Sequence, residues 1–109
     1  MPINSEQKNQ FKSIGHHLKP ILIVTSSSIS EGVLAELERA LHDHELIKAQ
    51  IRIDDREERS AAIKTLCQQA RCELVQAIGK VALLYRKNDQ ANPKLSNIKN
   101  TLSDSLILC

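Results

Sequence analysis

Three kinds of side chain in this sequence have chemistry to offer: four histidines, three cysteines, and the hydroxyl run Thr25-Ser26-Ser27-Ser28. Zinc sites draw on Cys and His at tight spacings such as C-x-x-C. Cys67 and Cys72 stand five apart, so on one helix they do not share a face, and no C-x-x-C pair exists. They read as small hydrophobes in or near a core. Histidine occurs as His16-His17 and His42-x-His44. The second pair falls near the end of an expected helix, where positive charge is favourable, and reads as a cap or surface feature rather than a metal site. The hydroxyl run lacks the G-x-S-x-G elbow of a hydrolase nucleophile and has no identifiable base. Without a Walker loop or G-x-G-x-x-G, a nucleotide cofactor has no phosphate cradle. Binding is the chemistry that remains, and no metal or cofactor is expected.

Two sets of residues suit an anionic partner. Thr25 to Ser30 lies between an expected strand end and an expected helix start, where free amides and hydroxyls can hold a phosphate. The same residues also suit a plain polar turn with a cap. The second set is Lys48, Arg52, Lys80, Arg86 and Lys87. If their strands are neighbours, these cations line one surface; alternatively they protect a solvated sheet edge. The overall balance of 15 basic against 13 acidic residues, +2 net, permits a nucleic-acid partner without requiring one. Phe11 and Tyr85 are the only aromatic rings among Phe, Trp and Tyr, which excludes base stacking on aromatics as the main device.

The elements that must position these residues follow from pattern. A helix is expected from Asn4 to about Gly15, capped by Asn4 or Ser5, with a stripe of Ile3, Gln7, Phe11 and Ile14. Pro20 to Val24 is a continuous apolar run, which suits a strand covered on both faces. Ser30 caps a second helix whose inner face is Val33, Leu34, Leu37, Ala40 and Leu41. Leu46 to Ile53 alternates: Ile47, Ala49, Ile51 and Ile53 point one way, and Lys48, Gln50 and Arg52 the other. Asp54 or Asp55 caps a third helix running to about Ala70, with Ala62, Ile63, Leu66, Cys67 and Ala70 inward. Leu74–Ile78 and Val81–Tyr85 flank Gly79-Lys80, a type II′ hairpin connection.

The order is α-β-α-β-α-β-β, an α/β class with a mixed four-stranded sheet. The 109 residues suffice for one domain, placed at 1–88, followed by a peripheral or poorly ordered tail at 89–109. No apolar run is long enough to span a bilayer, and the polar start shows no secretory h-region. The few cysteines fit a reduced, cytoplasmic compartment.

Leu18-Lys19-Pro20, Ser30-Glu31-Gly32-Val33-Leu34-Ala35-Glu36-Leu37, His44-Glu45-Leu46-Ile47-Lys48, Asp55-Arg56-Glu57, Ile78-Gly79-Lys80 and Leu83-Leu84-Tyr85-Arg86 occur in this order. Together they resemble the YhbY family, the stand-alone bacterial CRM domain, over about residues 5 to 87. The resemblance implies a fold similar to the C-terminal domain of translation initiation factor three. It also implies RNA binding and association with precursors of the large ribosomal subunit. The expected protein is thus a non-catalytic RNA binder in ribosome assembly, with no membrane or small-molecule partner. Lys19, Lys48, Arg52, Arg56, Lys80, Arg86 and Lys87 would neutralise phosphates, with Lys12 a further candidate, while Thr25, Ser26, Ser27, Ser28 and Ser30 hydrogen-bond the RNA backbone. The family's G-x-x-G loop after the first strand is replaced here, with Thr25 and Ser28 at its glycine positions. Glycine permits positive φ and close approach, whereas β-branched Thr25 resists both. The alternative expectation is therefore a protein-interaction module of the same fold with weakened RNA affinity.

Overall fold

The computed structural model describes residues 4–26, 28–88, 90, 96 and 97. Helix α1 (Ser5–His16) begins in a capping box: the Asn4 side chain accepts from the Gln7 amide, and the Gln7 side chain accepts from the Asn4 amide. Strand β1 (Pro20–Val24) leads to α2 (Glu31–His44), capped by Ser30 Oγ on the Val33 amide. Then come β2 (Leu46–Ile51) and α3 (Arg56–Ala70), where Asp55 Oδ1 accepts from both the Glu57 and Glu58 amides. The chain turns back through β3 (Glu73–Ile78) and β4 (Val81–Tyr85). Gly79 takes φ 55, the sign the first residue of a type II′ turn needs.

The sheet order is β1-β2-β4-β3. β1 is parallel to β2, and the other two pairs are antiparallel. One face carries α2 and α3 over a core that includes Leu22, Val24, Leu37, Leu41, Ile47, Ile51, Leu66 and Leu84. The other face carries α1, which buries Phe11 against Leu46, Val75 and Leu83, with Phe11 and Tyr85 ring centroids 4.4 Å apart. Helix and sheet come unusually close at Gly15: a Cβ there would lie 2.5 Å from Leu83 Cδ2. Ile3 of the expected α1 stripe lies outside the described residues.

Two features differ from the sequence expectation. β1 is not covered on both faces: Leu22 and Val24 are buried, but Ile21 and Ile23 are 52% and 48% exposed. β1 is an edge strand, and α1 packs over β2 and β3 instead, leaving that side of β1 bare. The β3 register also slips between Leu74, opposite Leu84, and Gln76, opposite Leu83. The extra residue, Val75, turns inward to Phe11, so Gln76 and Ile78 stand on the α1 side of the sheet.

Of the expected tail only Gln90, Ser96 and Asn97 are described; the rest of 89–109 lies outside the described residues. Ser96 is buried and its hydroxyl donates to the Glu45 carboxylate, which also accepts from the Asn88 amide. Asn97 Nδ2 donates to the Leu46 carbonyl. Glu45 holds this corner at φ 61 and is itself buried.

Candidate nucleic-acid interface

Lys48 occupies the middle of the half-open sheet face. The alternation of β2 sends Ile47, Ala49 and Ile51 under α2 and α3, which leaves Lys48 and Gln50 on the α1 side. Arg52 continues that row past the strand end, with Nε donating to Gln50 Oε1 at 3.3 Å. Ile53 remains buried although the ladder ends at Ile51.

Two grooves meet at Lys48. One, of about 230 Å³, runs under α1 and is lined by Lys12, Gly15, His16, Lys48, Gln76, Ile78, Val81 and Leu83. The other, of about 160 Å³, is lined by Leu18, Lys19, Ile21, His44, Ile47, Lys48 and Asn97. Lys12 and His16 reach the first groove together because residues four apart share a helix face. Lys12, Lys48 and Lys19 thus form a band of cations over apolar ground. Among the described residues none of these three lysines has a carboxylate partner.

The other sequence candidates sit elsewhere. Thr25, Ser26, Ser28, Ser30, Arg56 and Lys80 gather at the opposite end of the strands, with Arg52 bridging toward them; Ser27 lies outside the described residues. The loop satisfies part of itself: the Ser28 amide donates to Ser26 Oγ at 3.1 Å, and Ser30 Oγ is taken by the α2 cap. Thr25 and Ser26 share a recess with Arg52, Ile53, Asp54, Asp55 and Glu58, so carboxylates outnumber cations there. Lys80 Nζ hydrogen-bonds Asp54 Oδ1. That hydrogen bond and the ammonium charge hold the Asp54 carboxyl below the usual carboxylate range. Arg56 is exposed in the first turn of α3.

Arg86 is engaged within the fold. Its Nη1 donates to Glu38 Oε2 at 2.8 Å and to the Ala70 carbonyl at 2.9 Å, and its Nη2 to the Glu38 carbonyl at 3.3 Å. It therefore ties β4 to α2 and α3, on the side opposite Lys48. Lys87 follows it, exposed. The expectation of one surface running from Lys48 through Lys80 to Arg86 and Lys87 is corrected accordingly. The strands are neighbours, but β4 separates Lys80 from Arg86 by about 20 Å of extended chain.

The cysteines lie where their reading as small hydrophobes puts them: Cys72 is in the core and Cys67 packs against it. α3 ends at Arg71 in the left-handed conformation, φ 55 and ψ 44, so the chain folds back and the Cys72 amide donates to the Cys67 carbonyl at 3.0 Å. The two thiols become neighbours. Hydrogen bonding to Cys67 and burial push the Cys72 thiol up, while Cys72 as donor lowers Cys67.

Sequence reasoning missed His16 and Gln76 as groove residues. The four-residue spacing of Lys12 and His16 signalled the first; nothing local signalled Gln76, which depends on the Val75 bulge.

Comparison with known proteins agrees with this architecture. The CRS1/YhbY (CRM) domain model matches residues 3–86. A protein of Pseudomonas aeruginosa named as a probable RNA-binding protein is 60% identical over 98 residues, covering 90% of this chain and 94% of its own. An RNA-binding protein of Haemophilus influenzae is 37% identical, covering 85% and 94%. The solution structure of the Staphylococcus aureus protein SAV1595 is similar with a TM-score of 0.72 at 26% identity, over 84% of this chain and 95% of that one. The match of the domain model across all seven elements of the described residues shows that the chain belongs to the CRS1/YhbY (CRM) domain family.

Proposed function

We propose that this chain is a non-catalytic, cytoplasmic RNA-binding protein that aids assembly of the large ribosomal subunit. The observation that carries the reading is the Lys12–Lys48–Lys19 band on the open sheet face, free of carboxylate partners among the described residues. Phosphates neutralised there release counterions, which drives binding. The exposed Ile21, beside Lys19 and Lys48, and Ile23, further along β1, offer apolar contact to the sugars. Arg52 extends the row, and the hydroxyls of the Thr25–Ser30 loop add polar contacts at its far end. RNA-binding relatives support the partner.

The test is co-sedimentation of the protein with large-subunit precursor particles. Wild type is expected to travel with the particles and to be released by nuclease. A Lys12→Glu, Lys48→Glu double variant is expected to stay behind. Retention of that variant would overturn this surface. A second reading, a protein-interaction module with weakened RNA affinity, is favoured by the internal Ser26–Ser28 hydrogen bond, which takes one loop amide away from any phosphate. It predicts association that survives nuclease. Restoring the glycine pair with Thr25→Gly and Ser28→Gly is expected to strengthen RNA binding only if the loop contributes backbone contacts.

A further inference from the structure

The groove under α1 has a composition that the cationic band alone does not require. Its floor is apolar: Leu83 is buried, Val81 is half-buried, and Ile78 is 66% exposed at the mouth. Its one side-chain amide is Gln76, which the bulge at Val75 turns to this side. Lys12 of α1 and Lys48 of β2 enter from opposite walls, and His16 stands beside Lys12. At about 230 Å³ it is smaller than the roughly 300–1,000 Å³ of drug-sized ligand sites. The space suits one flat ring rather than a helix or a strand. Gly15 lines the groove, and its missing side chain lets α1 sit close to Leu83, whose Cδ2 a Cβ would meet at 2.5 Å.

We propose that this groove receives a single unpaired base of the bound RNA. The ring lies against Ile78, Val81 and Leu83, its edge meets the Gln76 side-chain amide, and the neighbouring phosphates meet Lys12 and Lys48. The proposal rests on the RNA-binding reading above and adds a subsite to it. An amide offers both donor and acceptor, so it can pair with a base edge in two hydrogen bonds. Unpaired bases in folded RNA are splayed out and read in this way, on apolar as well as aromatic side chains.

The experiment is a titration of methyl-labelled protein followed by NMR. The two probes are a nine-nucleotide mixed-sequence single-stranded RNA and a blunt RNA duplex. The single strand is expected to shift the methyl resonances of Ile78, Val81 and Leu83; the duplex is expected to leave them in place. Ile78→Ala, an exposed and charge-neutral change, is expected to weaken single-strand binding about fivefold to tenfold and duplex binding hardly at all. Gln76→Leu is expected to flatten the affinity differences among the four homopolymer oligonucleotides. Salt-dependent binding of both probes with the three methyl resonances unmoved would overturn the base subsite and leave the RNA reading standing. Equal losses for both probes in Ile78→Ala would also overturn it. No binding of either probe would overturn both.

Discussion

Arginine 86 shows how a residue's type can mislead about its role. It looks like a surface cation in the sequence, yet its guanidinium donates to one carboxylate and two backbone carbonyls. Arg86→Ala is expected to cost about 2 kcal/mol in a urea titration, because it leaves part-buried acceptors unpaired. Arg86→Lys should recover little of that, since the ammonium is a compact point charge and lacks the planar spread by which two guanidinium nitrogens reach separate acceptors. The pairing partner Glu38 lies forty-eight residues away on a helix face that reads as solvent-exposed, so the sequence held no cue to it. Asp54 makes a second residue-scale prediction. Its carboxyl is depressed by Lys80, so the pair's contribution is fully present above the unfolded carboxylate pKa. It is lost only as pH falls through the lower folded value. Carboxyl NMR should show Asp54 titrating below other exposed aspartates, and Lys80→Met should return it to the ordinary range. The unmodified pair leaves stability flat near neutral pH.

At the scale of elements, local signals were the legible ones. Asn4, Ser30 and Asp55 cap their helices as their types and positions lead one to expect. Asp55→Ala, which frees two amides at once, is expected to lower stability by about 1–2 kcal/mol in thermal unfolding. Features that depend on a partner element were not legible. Pro20–Val24 has the composition of a covered strand, but the length and placement of α1 decide that its Ile21 and Ile23 side stays open. The bulge at Val75 has no glycine or proline to announce it. Gly15 read as a helix stop, whereas its larger role is close packing. Gly15→Ala forces Leu83 or α1 to move and is expected to cost about 1–3 kcal/mol as overpacking. Circular dichroism with denaturant would measure it.

For the whole molecule, the alternation of β2 and the order of elements specified a mixed sheet, and the β1-β2-β4-β3 arrangement places Lys48 in an inner strand. α1 covers part of one face and leaves the rest open, so the fold itself creates the cationic band between Lys12 and Lys19. The sequence named Lys19 and Lys48 and raised Lys12, but it grouped them with Lys80 and Arg86, which the topology sends to another end and another face. The most direct measurement is the salt dependence of binding to large-subunit ribosomal RNA. It should compare wild type with a Lys12→Gln, Lys19→Gln, Lys48→Gln variant and with a Lys80→Gln, Lys87→Gln control. A slope of log affinity against log salt that falls by about 2–3 in the triple variant, with little change in the control, is the expected result. An unchanged slope in the triple variant, or an equal fall in the control, would contradict the assignment of RNA to the open sheet face.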